Sequence, residues 1–141
     1  MNAVNASNGK TADDTRGGFH EEGGQWGTTT SGAVSVAPAV PGPANLNVVG
    51  GAHMDPAKAV DPSVKNNWQS LDGTYHVHPS GSITDANGQR LFFAQGPSGK
   101  DISVAGGGIN IVVGAGDKKV YFYNGSGVIG KPMKLKDFMG Q

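Results

Sequence analysis

The sequence lacks cysteine altogether, in a chain of 141 residues. This absence excludes a disulfide framework, a thiolate metal site and a cysteine nucleophile. The formal net charge is zero, because 11 basic residues balance 11 acidic ones, and basic residues are enriched only in the tail, at Lys131, Lys134 and Lys136. A nucleic-acid partner is therefore not expected. No stretch approaches the roughly 18 apolar residues of a membrane span, and the polar N-terminus has no apolar signal region.

Glycine, by contrast, is abundant, with 24 glycines beside 8 prolines. The glycines fall between patterned segments, which predicts short strands joined by many turns. The length is that of one ordinary domain. Residues 1–18 are small, polar and aperiodic, so we predict a flexible N-terminal arm followed by one domain over residues 19–141.

The patterned segments predict a mixed sheet with short flanking helices, an α+β fold. Asp61-Pro62 is a helix-start signal, and the apolar residues that follow at i, i+4 and i+7 predict a helix over 62–71. The long connection 80–97 contains turn residues and a short apolar run, which predicts an inserted hairpin. Residues 96–102 resemble the start of a short helix. The predicted strands are 33–37, 46–49, 74–78, 109–113 and 120–123.

His76 and His78 lie two residues apart on a predicted strand. Side chains alternate across a strand, so both imidazoles share one face, while Tyr75 and Val77 face the core. Two imidazoles at this separation can bind one ion. A lone His-x-His pair is also typical of solvent-facing polar residues, so the pair needs further ligands to indicate a metal site.

Asp101 is the natural third ligand, because a catalytic zinc takes three protein ligands and one water. It lies in Ser98-x-x-Asp101, a spacing that also forms a helix-capping box, and both readings hold together if the cap orients the carboxylate. A second carboxylate, from Glu21 or Glu22, would accept the proton of the metal-bound water. Ser98 would donate a hydrogen bond to the oxyanion.

Taken together, these residues resemble the JAMM (MPN-domain) metallopeptidase family. Its pattern of a glutamate, His-x-His-Pro and Ser-x-x-Asp matches Glu21, His76 to Pro79 and Ser98 to Asp101, in that order. The family glutamate is commonly followed three residues later by glycine, which favours Glu21 over Glu22. The resemblance covers residues 19–123. It implies a mixed sheet with flanking helices, and zinc-dependent cleavage of peptide or isopeptide bonds in a protein substrate.

The chain departs from the family in the 18 residues between Pro79 and Ser98, where the family has a shorter connection. We interpret these residues as the inserted hairpin. The glycine-rich ending also resembles JAMM-like modules of bacterial Rhs and polymorphic-toxin proteins. That resemblance implies a piece of a larger polypeptide, located in the bacterial cytoplasm or exported with it. The alternatives to a processing enzyme are an inactive JAMM-like binding or assembly module and a toxin that uses the same zinc site.

Overall fold

The computed structural model describes residues 1–7, 19–43, 53–84 and 86–141. Three short α-helices are present in these ranges: α1 (Asn2–Ala6), α2 (Gly99–Ser103) and α3 (Leu135–Phe138), with a 3₁₀ helix at Pro62–Lys65. The strands are β1 (Glu22–Thr29), β2 (Val34–Pro38), β3 (Trp68–His78), β4 (Ser82–Thr84), β5 (Arg90–Phe92), β6 (Asn110–Gly114), β7 (Lys119–Asn124), β8 (Gly127–Val128) and β9 (Met133–Lys134). No helix among the described residues is long and apolar enough to cross a membrane.

Seven of the strands form one sheet in the order β2-β1-β3-β6-β7-β8, with β9 pairing at the other end of β7. The β3–β6 pair is parallel, and the remaining pairs are antiparallel. The predicted α+β class with a mixed sheet is therefore confirmed. β4 and β5 pair with each other in a separate two-stranded sheet, which confirms the hairpin predicted within residues 80–97.

One face of the sheet packs against the apolar core, and the opposite face carries the two histidines of β3. Val77 on β3 and Val120 on β7 point to one face, where α1 and α3 cover a core that includes Val4 and Leu135. His76 and His78 occupy the alternate positions of β3 and therefore point to the opposite face. Val77 is 1% exposed, so the strand is anchored by its apolar side and presents the histidines on the other.

The prediction of a helix over residues 62–71 is wrong. Only Pro62–Lys65 form a helical turn, with Asp61 as the N-cap, and Trp68 begins β3. Residues 68–77 pair with β1 instead. Leu71 is 57% exposed, so the supposed apolar stripe has no core to face. A helix of two turns without such burial is unstable in water, and the ladder with β1 prevails.

The N-terminal part of the predicted flexible arm differs from expectation. Asn2–Ala6 form a helix whose Val4 is 4% exposed and belongs to the core. Burial of this side chain holds the helix against the sheet. Residues 8–18 and the predicted strand 46–49 lie outside the described residues. The predicted strands 33–37, 109–113 and 120–123 are confirmed within one residue, whereas 74–78 is only the last part of the longer β3. The helix start at 96–102 corresponds to α2.

Candidate metal centre

The two histidines of β3 converge at the middle of the sheet. Their side chains are almost fully buried, with His76 3% and His78 5% exposed. β1 pairs with the strand at His76, and β6 pairs with it at both histidines. The Nε2 atoms of His76 and His78 lie 3.1 Å apart. Two imidazoles thus present their Nε2 atoms to one point.

Glu21 reaches this point from the residue just before β1. The antiparallel register pairs Gly23 with His76, and the carboxylate Oε1 of Glu21 lies 3.4 Å from His78 Nε2. Glu22 points to the opposite face, where its Oε1 lies 2.7 Å from His20 Nε2. The geometry therefore brings Glu21, the glutamate favoured from sequence, into the cluster and directs Glu22 away from it.

The sequence gives His20 no partner at a metal-ligand spacing and so predicts an exposed loop histidine, a prediction that is wrong. It is fully buried, and its backbone N–H donates to the Ser7 carbonyl. Its ring pairs with Glu22 on the core side of the sheet. Glu22, the first residue of β1, and Glu21 just before it face opposite ways, since neighbouring residues of an extended strand alternate.

Asp101 completes the cluster from α2. Its Oδ1 lies 3.4 Å from His76 Nε2, and its Oδ2 lies 3.5 Å from His78 Nε2. The predicted capping box is present: Ser98 N and Oγ donate to Asp101 Oδ2 at 2.6 and 2.8 Å, and Asp101 N donates to Ser98 Oγ. The cap holds Oδ2, which leaves Oδ1 directed at His76. The Ser98 hydroxyl proton is used by Asp101, so its role toward an oxyanion stays a prediction.

The spacing of these donor atoms fits a single small cation. Donor atoms of Glu21, His76 and His78 all lie within 4.8 Å of one another. Ligands held tetrahedrally at about 2.0–2.1 Å from an ion are about 3.3–3.4 Å apart. The His76–His78 and Glu21–His78 contacts, at 3.1 and 3.4 Å, lie near this separation. The Asp101 contacts, at 3.4 and 3.5 Å, come from its two different oxygens. Glu21, His76 and His78 therefore lie close enough to bind a metal ion.

The protonation of the cluster suits ligand chemistry. Burial lowers the pKa of His76 more than its hydrogen bond to Asp101 raises it, which favours the neutral imidazole that a metal requires. Burial would raise the pKa of Asp101, but hydrogen bonds from His76 and His78 outweigh it and hold that pKa well below its usual range. Asp101 is thus an ionised acceptor beside a neutral donor.

The pKa of Glu21 is shifted in the opposite direction from that of Asp101. Burial raises its pKa from 4.5 to about 8, and the negative charge of Asp101 adds to the increase, while His78 and Lys100 oppose it. Burial lowers the pKa of His78, but its hydrogen bond to Asp101 and the charge of Glu21 outweigh burial and raise it. A carboxyl group with a pKa near neutrality can take up and release a proton at the same pH.

Two cavities open onto the cluster from either side. One, of about 420 Å³, extends past His78 to Phe93 and Ala94, the residues that follow the inserted hairpin. The other, of about 410 Å³, extends past His76 toward Tyr123. Glu21 and Asp101 line both. An extended molecule can therefore cross the cluster with a part on each side.

Sequence reasoning missed two buried residues near His76, namely Tyr123 and Asn110. Tyr123 is 3% exposed and meets the His76 ring edge-on, with centroids 6.3 Å apart. Asn110 is 1% exposed and its side-chain oxygen accepts from the Thr74 hydroxyl at 2.7 Å. Alternation along β7 was the available signal, because Tyr123 and Tyr121 necessarily share one face of that strand.

The geometry thus brings together all five predicted site residues: Glu21, His76, His78, Ser98 and Asp101. They come from three separate parts of the chain. No protein-family model, curated protein or solved structure matches this chain.

Proposed function

We propose that the protein is a zinc-dependent hydrolase of the JAMM type that cleaves a peptide or isopeptide bond. One observation carries the proposal. Two buried imidazoles, an ionised carboxylate and a buried carboxyl group with a raised pKa converge within 3.1–3.5 Å contacts beside two cavities. Their order along the chain is also that of the JAMM pattern.

The donor set favours zinc among the common metals. Imidazole nitrogens with one carboxylate oxygen are typical of catalytic zinc sites, whereas calcium and magnesium prefer oxygen ligands alone. His76, His78 and Asp101 would hold the ion. When bound, zinc would supply a water of lowered pKa at the open position.

The remaining residues handle protons and charge. Glu21 would take the proton from the water and deliver it to the leaving amine, since its carboxylate lies beside His78 and lines both cavities. Ser98 orients Asp101 through the cap. Its donation to the oxyanion would require the hydroxyl to leave Asp101, which a metal bound to the carboxylate would favour by competing for the oxygen's charge.

An inactive binding module is the main rival. Such a module needs no proton carrier, yet Glu21 is kept buried at the cluster although burial raises its pKa to about 8. Keeping an acid where its charged form is disfavoured has an energetic cost that a binding surface does not require. We therefore favour an enzyme, used as a processing protease or as a toxin module of a larger bacterial protein.

The proposal is tested by hydrolysis with the zinc-loaded chain. A mixed library of internally quenched peptides and a set of lysine-branched isopeptides are the probes. We expect cleavage by the native chain and none by Glu21→Gln, while a His53→Ala control at the exposed cavity rim keeps activity. Full zinc occupancy without cleavage of any probe would instead support the binding module.

A further inference from the structure

A second pocket, separate from the metal centre, lies where the β6–β7 turn meets β9 and α3. Its volume is about 450 Å³. No residue of the metal centre lines it. Four of the 11 basic residues of the chain surround it, and we call it the lysine pocket; its lysines are Lys118, Lys119, Lys134 and Lys136.

The lysines are brought together at a cost. Lys119 and Lys134 are direct partners in the antiparallel β7–β9 ladder, and like charges directly opposite each other are destabilising. Lys118 is held at a positive φ of 57° by its hydrogen bonds to Gly114 and Leu135. The turn thus places the backbone of a third lysine beside the pair.

No ion pair neutralises this charge in the part of the chain that the structure describes. Asp117 is the one acidic side chain lining the pocket. Its carboxylate already accepts from the Tyr121 hydroxyl at 2.5 Å and from the Lys119 backbone N–H at 3.1 Å. The lysine pocket therefore keeps a net positive charge that a negatively charged ligand would complement.

The floor of the pocket is apolar. Leu135 is 8% exposed and belongs to the core, and Met139 packs against that core. A methionine side chain adapts its shape to different apolar groups. The ligand that fits carries an apolar group for the floor and negative charges for the rim. A phosphate backbone supplies charge without an apolar anchor, so it matches only the rim.

We propose that the lysine pocket binds an acidic peptide segment of a partner protein, with one bulky apolar side chain seated over Leu135 and Met139 and flanking carboxylates on the lysines. This binding is independent of metal and of hydrolysis. Lys119 and Lys134 repel each other across the β7–β9 ladder in the free protein. In the complex, the partner's carboxylates lie between the two ammonium groups and neutralise their charges.

The test uses the full chain and a fluorescein-labelled peptide, Glu-Glu-Leu-Phe-Glu-Glu, in fluorescence anisotropy at low salt. The comparison probes are Glu-Glu-Ser-Gly-Glu-Glu, which lacks the apolar anchor, a single-stranded oligonucleotide, and vesicles of phosphatidylcholine with phosphatidylserine. We expect the first peptide to bind most tightly, with weaker binding as salt screens the charges, and chemical-shift changes at the Met139 methyl group.

Variants separate charge in the pocket from charge elsewhere. Lys134→Glu should weaken peptide binding by about fivefold or more. It should also raise the unfolding midpoint by about 2 °C, because it creates an opposite-charge pair with Lys119. Lys131→Glu changes net charge equally but its residue does not line the pocket, so it should leave binding nearly unchanged.

Three outcomes would overturn the proposal. Equal binding of the two acidic peptides would show that no apolar anchor is used. Equal weakening by Lys131→Glu and Lys134→Glu would show general charge attraction. Tighter binding of the oligonucleotide or the vesicles would assign the surface to another class of partner.

Discussion

Replacing Glu21 by glutamine should change how the stability of the metal-free protein depends on pH. Burial raises the pKa of Glu21 from 4.5 to about 8, so between these values the folded chain binds a proton that the unfolded chain has released. Stability therefore falls as pH rises through this window. With these two values, linkage gives a loss of about 3 kcal/mol between pH 5 and pH 8.

Glutamine cannot ionise, so Glu21→Gln should lose this contribution. We expect the native chain, treated with a chelator, to lose about 3 kcal/mol more stability than Glu21→Gln between pH 5 and pH 8. Urea unfolding followed by tryptophan fluorescence measures both. Asp137→Asn, which removes an exposed carboxylate of α3, is the control and should follow the native chain. Parallel curves for the native chain and Glu21→Gln would refute the reasoning about burial of this carboxyl group.

Two further predictions concern the frame of the site. Ser98→Ala removes the N-cap of α2 and the hydroxyl hydrogen bond to Asp101 Oδ2. It should lower the free energy of unfolding in urea by about 1 kcal/mol and weaken zinc binding in a competition titration with a chromophoric chelator. Unchanged zinc affinity would show that the cap does not orient Asp101. Gly23→Ala places a Cβ against the Tyr75 carbonyl and 2.8 Å from His76 Cα. It should lower the free energy of unfolding in urea by about 2 kcal/mol or more. An unchanged free energy of unfolding would show that the β1–β3 ladder can shift to accommodate the methyl group.

The local parts of the site could be predicted from sequence. His76 and His78 share a face because strand alternation requires it, and Ser98 with Asp101 forms a cap because their spacing fits one helical turn. Both features depend on neighbouring residues only. The hairpin within residues 80–97 is likewise confirmed, since its turn and flanking apolar run are adjacent in sequence.

The parts that depend on distant pairing were harder to predict. β1 has three glycines where strands favour branched residues, and its identity depends on the ladder with β3. Gly23 lies opposite His76 because no larger residue fits against that backbone. The same ladder explains why residues 68–71 form part of β3 and not the predicted helix over 62–71. The approach of Glu21 to His78 follows from this register, which no local pattern contains.

Zinc content is the most direct test of the central claim that His76, His78 and Asp101 form a metal site. The chain is stripped with a chelator, reloaded with zinc, desalted and analysed by elemental mass spectrometry. We predict about one zinc per chain, lost in His76→Ala and kept in His53→Ala, whose histidine is exposed at the cavity rim. No zinc uptake, or equal zinc in His76→Ala and the native chain, would contradict the account.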